Sequence, residues 1–388
     1  MMFVLFEFFD TEPLENIVTC LHYKPDKVVY FGHSNIMTAE EMFQTKKNLA
    51  DICGITNIRF VPVSQTKFNQ MIDVMEQTIQ QEVPVEANCF FDLTGGEDLI
   101  LVAAGILASR YKIALHRYNV EANRLMHLNY HHIPDISGVI SEENHQLTIE
   151  EFSSMAGGSI NKSLQKTTKM GAVDEQELSD IYSMWTICEH NSKKWNYMSS
   201  ILKLTDDYEN SLVVDIAKTK INEFLVGYKN QISMSDFVAI LKELADAGFL
   251  LQYSDKKGCI SFHYKNALTK DCLWDAGCAL ERYVYANCIN SGQYNECQMG
   301  VHIDWNDELK NVAMSVGNEI DVLCLDGNIP TFISCKNGNY DTRALYELQT
   351  VAEQFGGKYA RKRLIVSKEP DDVFVLRAEE MGIEIYKP

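Results

Sequence analysis

A chain of 388 residues is too long for one small core, and its mixture of 46% apolar and 23% charged residues is that of an ordinary soluble protein of two or three domains. No stretch is long and apolar enough to span a bilayer as a helix, so no membrane partner is expected. The net charge of −19 argues against a broad basic surface for nucleic acid, while leaving room for a local site built from a few phosphate contacts and metal ions.

The opening segment, Met1 to Phe9, is apolar but short, carries Glu7 and lacks a positive flank, so it reads as a buried first strand and not as a signal peptide. The 11 cysteines are scattered without a CxxC pair. They read as buried reduced thiols, which implies a cytoplasmic protein. Strands are expected at Phe3 to Phe9, Val28 to Phe31, Asn57 to Val61 and Asn88 to Leu93. Helices are expected near 13–23, 39–53, 65–81 and 97–110, with closing strands at Lys112 to His116 and Leu125 to Asn129. Strands alternating with helices give a mostly parallel, Rossmann-like α/β domain over 1–135, whose ligands belong outside the carboxyl ends of the strands. Residues 136–171, rich in Gly and Ser, read as a connector.

Residues 172–265 are mainly helical. Ser235 and Asp236 can cap a helix with the apolar face Phe237, Ile240, Leu241 and Leu244. A hairpin of Phe249 to Tyr253 and Cys259 to Tyr264 follows, which makes the module winged-helix-like. It has no dense basic recognition helix, which favours a spacer or dimerisation role over DNA binding. The last domain, 266–388, should hold a helix over 272–288, a hairpin over 318–336, a helix over 341–355, a strand at Arg363 to Ser367, and a final helix and strand.

Three pieces of the last domain carry chemistry. Glu281 lies on the first helix, Glu319 and Asp321 on one hairpin strand, and Ser334, Cys335 and Lys336 on the other. A turn centred on Gly327-Asn328 places Asp321 opposite Ser334, and side-chain alternation puts Ser334 and Lys336 on one face. Phosphodiester hydrolysis needs a divalent ion to polarise a phosphoryl oxygen and acidify a water. Hard ions such as Mn2+ or Mg2+ take oxygen ligands. Asp321 is the natural ligand, with the carbonyl of Cys335, Glu281 and also Glu319 as further candidates, and Lys336 can orient the attacking water. Downstream, Tyr346 and Gln349 can face a substrate groove. Lys358, Arg361, Lys362 and Arg363 could hold phosphates or form a solvated charge run.

These pieces resemble the PD-(D/E)XK nuclease superfamily, with Ser334 standing where an acidic residue is usual. In the first domain Phe90 to Leu93 runs into Thr94-Gly95-Gly96 and then Glu97-Asp98, a strand-to-helix turn that lets a ligand approach the backbone. This turn resembles that of a CARF domain. Together with the C-terminal motifs it makes most of the chain similar to CRISPR ancillary nucleases of the Card/Can type. The resemblance implies a homodimer that binds a cyclic oligoadenylate, cyclic tetra-adenylate above all, and is thereby activated as a Mn2+- or Mg2+-dependent restriction-endonuclease-like nuclease on DNA, RNA or both. It also implies ligand contacts at Thr94, Gly95 and Gly96, with Asp10, Thr11 and Glu12, and Ser34 and Asn35, as additions. Glu97 and Asp98 suit the helix dipole but not a phosphate. A ligand-controlled DNA-binding regulator with an inactive nuclease-like domain is the alternative. An enzyme that cleaves its own cyclic nucleotide near Thr94 ranks below both, because no base is evident there.

Overall fold

The computed structural model describes residues 2–83, 88–128, 146–164, 173–205, 211–228, 231–305 and 317–388. The first sheet is built from β1 (Phe3–Phe8), α1 (Val18–Tyr23), β2 (Lys27–His33), α2 (Ala39–Asp51), β3 (Ile58–Val63), α3 (Phe68–Glu82), β4 (Asn88–Asp92), α4 (Asp98–Tyr111), β5 (Ala114–Asn119) and β6 (Arg124–Leu128). Its strand order is β3-β2-β1-β4-β5-β6, parallel except for the β5–β6 pair. The order of the chain reverses between β1 and β4, so a crevice opens there at the carboxyl ends of the strands. The expected closing strand at Lys112 to His116 begins and ends later, because Lys112 adopts a left-handed cap (φ 58°) that stops α4. Asn129, expected to end the last strand, lies outside the described residues, as does Gly138 of the expected connector.

The rest of that connector is not a passive link. Thr148 and Glu151 form a reciprocal capping box that starts α5 (Ile149–Met155), and β7 (Ser159–Ile160) follows. Ile149, Phe152 and Met155 are buried in one core with Leu14 and Ile17 of the first domain and with Phe332 and Phe355 of the last. β7 pairs with the C-terminal sheet, Ile160 opposite Ile303. Serine and glycine content concealed this, because two ladder pairs are enough to place a strand that leaves no periodic trace.

The middle module comprises α6 (Glu175–His190), α7 (Ser192–Thr205), β8 (Val213–Ala217), α8 (Lys218–Gly227), α9 (Met234–Asp246), β9 (Leu250–Asp255) and β10 (Cys259–Tyr264). The cap of α9 is Ser233, with Asp236 returning its bond, and not Ser235 as expected. β8 joins the hairpin in a three-stranded sheet of order β8-β10-β9, which completes a winged-helix arrangement. The expected single helix over 272–288 is two helices, α10 (Ala267–Trp274) and α11 (Cys278–Asn290), broken at Asp275–Gly277.

The C-terminal sheet adds β11 (Glu296–Asp304), β12 (Gly317–Asp326), β13 (Ile329–Lys336), β14 (Arg361–Val366) and β15 (Ile383–Tyr386), with α12 (Arg343–Gly356) and α13 (Asp372–Glu380) between the later strands. The order is β15-β14-β13-β12-β11-β7. The strands are antiparallel from β7 to β13 and parallel from β13 to β15. α11 packs on one face with Cys324, Ile333 and Ile365. α12 covers the other through Leu345, Leu348 and Ala352.

Candidate active site

The turn between β12 and β13 pairs Asp326 with Ile329, the register expected from Gly327-Asn328. The β12–β13 ladder ends at Val322 opposite Ile333. Beyond that point β12 stays paired with β11, while Ser334, Cys335 and Lys336 of β13 pair with β14. The two strands therefore part into a fork. Asp321 bridges it: Oδ2 accepts the Cys335 N–H at 2.6 Å and the Ser334 hydroxyl at 3.2 Å. Burial raises the Asp321 pKa above the usual carboxylate value, and Glu319 pushes the same way. The Cys335 N–H, the Lys336 charge and the Ser334 hydroxyl oppose the rise.

Glu281 is brought in by the break before α11. Its Oε1 lies 2.8 Å from where a Cβ on Gly277 would be, and Asp275 Oδ1 lies 3.5 Å from the same point. Only a glycine lets both carboxylates close over the backbone there. Burial first, then the charges of Asp321 and Glu281, push the Cys335 thiol well up, with Lys336 pulling the other way. Glu281, Asp321 and Lys336 thus surround one strand residue.

Two further residues belong here. Asp275, not singled out in the sequence, adds a third acid beside Glu281, and it carries no motif because its role depends on where α10 stops. Asn337, which follows the Ser-Cys-Lys motif, donates to the Ala276 carbonyl at 2.7 Å and accepts on its own carbonyl from Asn196 at 2.9 Å, tying the end of β13 to the helix break and to the middle module. Glu319 turns instead toward His302, 3.8 Å away. The candidate donors are all oxygens, the kind hard divalent ions prefer. Among the described residues, no group of three or more His, Cys, Asp or Glu side chains is gathered as a metal cluster.

Of the two readings of the basic run, a phosphate site or a solvated charge run, the ion pairs favour the second. Lys358 pairs with Glu15 at 2.8 Å, Arg361 with Asp326 at 2.7 Å and Arg363 with Glu384 at 2.9 Å. Lys362 donates to Gln349 and to the Met381 carbonyl, both at 2.6 Å. Each cation is committed within the fold, so Gln349 is a brace for Lys362 and not a free groove residue. Tyr346 accepts from Arg377 at 3.1 Å.

At the first sheet's crevice, Asp10 and Thr11 follow β1 and Thr94-Gly95-Gly96 follow β4, on the two sides of the chain reversal. The Thr94 side chain is turned inward: its hydroxyl donates to Asp92 Oδ1 and accepts the Tyr118 N–H, each at 2.7 Å. Asp10 likewise holds the turn, accepting from Gly96 N and Glu12 N at 3.0 Å. Gly96 has φ 100°, and a Cβ on Gly95 would lie 3.0 Å from Asp10 Cβ and from the Phe8 carbonyl. These glycines are required by packing on β1 itself, whatever binds. Thr11, Ser34 and Asn35 are exposed around the crevice, and Glu97 lies 3.2 Å from Nε2 of buried His33.

The site thus joins a carboxylate at a strand fork to a glutamate from the covering helix, with Lys336 on the neighbouring strand. Residues 272–388 match the family model described as Card1-like, endonuclease domain. The whole fold is shared with protein VC1899 from Vibrio cholerae, at 16% identity and TM-score 0.71, covering 100% of this chain and 94% of that one. It is also shared with Can2 from Sulfobacillus thermosulfidooxidans, solved in complex with cyclic tetra-adenylate. That match has 15% identity and TM-score 0.66, and covers 99% of this chain and 95% of that one. No curated protein sequence matches. The architecture is a Rossmann-like α/β domain, a winged-helix-like middle and a C-terminal α/β domain of endonuclease-like fold.

Proposed function

We propose that this chain is a cyclic-oligoadenylate-activated, metal-dependent nuclease that cleaves DNA or RNA in type III CRISPR antiviral defence and works as a homodimer. The observation that carries this reading is the fork at Asp321 within a Card1-like endonuclease domain. The shared fold with Can2, a protein solved with cyclic tetra-adenylate, supports the choice of activator.

Asp321, Glu281 and the Cys335 carbonyl would hold Mn2+ or Mg2+, which when bound polarises a phosphoryl oxygen and lowers the pKa of a water. The Cys335 N–H and the Ser334 hydroxyl fix one Asp321 oxygen and so aim the other. Lys336, on the same strand as Ser334, offers its ammonium to the scissile phosphate and to the attacking water. The raised pKa of Asp321 means that its charge is under-compensated by the protein alone, the condition under which a cation is welcome.

The regulator alternative is disfavoured by α9, the helix before the wing. It carries Asp236, Glu243 and Asp246 against Lys242, and Lys194 further neutralises Asp236 at 2.6 Å. An acidic helix in that place repels a phosphate backbone.

The test is cleavage of plasmid and of single-stranded DNA and RNA with Mn2+, with and without cyclic tetra-adenylate. Cutting is expected only when both are present. Asp321→Ala and Lys336→Ala should each abolish cutting and leave calorimetric binding of the activator unchanged. Undiminished cleavage by either variant removes the proposed site.

A further inference from the structure

The Thr94–Gly96 turn is tied to the nuclease domain at two places. The first tie runs through the loop after β1. Asp10 joins Gly96 N to Glu12 N. Glu12 then accepts the Lys358 N–H at 3.0 Å, and Gly357 packs against the Glu12 carboxylate with no room for a side chain. Three residues on, Glu15 is 4% exposed, yet it accepts the Tyr359 hydroxyl at 2.5 Å and pairs with Lys358 Nζ at 2.8 Å. Lys358 and Tyr359 lead directly into β14, the strand that pairs with Ser334, Cys335 and Lys336.

The second tie starts from Thr94 itself, whose hydroxyl holds the Tyr118 N–H. The Tyr118 hydroxyl donates to Asn123 and also faces Asn328. Asn123 seats Gly327, where a Cβ would lie 3.2 Å from Asn123 Cγ. Gly327-Asn328 is the turn of the β12–β13 hairpin. One sensor turn is therefore connected to the closed end of the hairpin and, through β14, to the strand bearing its open end.

We propose that the Glu15–Lys358–Tyr359 cluster and the Tyr118–Asn123 seat are the contacts through which occupancy of the sensor turn sets the geometry of the fork at Asp321. This rests on the reading of the chain as a ligand-activated nuclease. A buried carboxylate held by two donors of another domain is either paired or costly, so the contact has discrete arrangements and not a continuum. A ligand that favours one arrangement shifts the fork with it.

The experiment uses the full chain with Mn2+ and compares wild type, Tyr359→Phe and Lys358→Met. Tyr359→Phe removes one hydroxyl and keeps the ring; Lys358→Met removes the charge and keeps the stem. Neither residue belongs to the fork or to the sensor turn. Without cyclic tetra-adenylate each variant should stay as silent as wild type, and cleavage in its presence should fall at least tenfold in each variant. Affinity for cyclic tetra-adenylate should be equal to wild type or tighter, because binding no longer drives the nuclease domain. A merely structural role would weaken binding and stimulation together. Full stimulation in a variant that melts like wild type overturns the proposal. If one variant melts early, the other decides. A wild type that binds cyclic tetra-adenylate without being stimulated removes the underlying reading and this inference with it.

Discussion

Asp321 replaces a main-chain carbonyl in the ladder: where β12 leaves β13, its carboxylate takes the Cys335 N–H that a strand neighbour would otherwise accept. A second carboxylate, Glu7, lies deep in the first domain. Phe6 pairs with Phe91, so Glu7 and Asp92 stand side by side on β1 and β4, 1% and 0% exposed. Burial raises Glu7 well above its ordinary value, and the Asp92 charge adds to this; burial also raises Asp92. One proton shared between them gives each a partner and leaves Asp92 to hold Thr94. Because the folded pKa of Glu7 exceeds the unfolded value of about 4.3, the folded state keeps a proton that the unfolded chain releases. Its stabilising effect is whole below the unfolded pKa and is lost as pH rises toward and through the folded one, at up to about 1.4 kcal/mol per pH unit. Glu7→Gln carries an amide that donates to Asp92 without titrating, so its stability should fall less between pH 5 and pH 8 than that of wild type. Urea denaturation at the two pH values checks this, and parallel losses would mean that Glu7 does not hold the proton.

α4 illustrates what an element needs beyond its own domain. Ile100, Ala103, Ala104 and Leu107 are buried against the first sheet. On the opposite side Leu99, Val102 and Ile106 are 50%, 53% and 38% exposed, at spacings of three and four residues. A helix apolar on two faces calls for two partners, and this one starts at the end of the Thr94–Gly96 turn. In the homodimer proposed above, α4 of another copy would be that second partner and would bring two Thr94–Gly96 turns to one symmetric ring. Leu99→Glu with Val102→Glu removes about 1.5–3 kcal/mol of burial per side chain. The dimer dissociation constant should therefore rise on the order of a hundredfold or more, read by light scattering across a dilution series. An unchanged mass at every concentration would assign the dimer, if present, to another surface. α4 and the hairpin register were legible in the sequence, because a run of apolar residues and a Gly-Asn turn act locally. β7, β8 and the break at Asp275–Gly277 were not, since distant pairing decides them: Ile160 with Ile303, Ile216 with Ile260, Asn337 with Ala276. The partners of the basic run at Lys358–Arg363 were hidden for the same reason, its acids Glu15, Asp326 and Glu384 being remote or on other elements.

Across the whole molecule, the first and last domains share one core. Leu14, Ile17 and Leu125 pack in a single cluster with Phe152, Phe332, Leu345 and Phe355. Domains joined in this way cannot drift independently, because a close-packed interior repacks between discrete states. Activator binding and substrate binding should then be two readings of one equilibrium. If cyclic tetra-adenylate tightens nucleic-acid binding by some factor, nucleic acid must tighten cyclic tetra-adenylate by the same factor, typically about 5- to 150-fold. The net charge of −19 makes the nucleic-acid arm steeply sensitive to salt, so both titrations belong at one ionic strength. Lys336→Ala, which should bind without cutting, allows both to be measured by calorimetry on the full chain with Mn2+ present. Equal factors in the two directions are expected. A cyclic tetra-adenylate affinity that ignores saturating DNA and RNA, in a protein whose cleavage still depends on the activator, would mean that the activator acts on the chemical step alone. The fork would then be reshaped only after substrate has bound, and the shared core would carry no part of substrate capture.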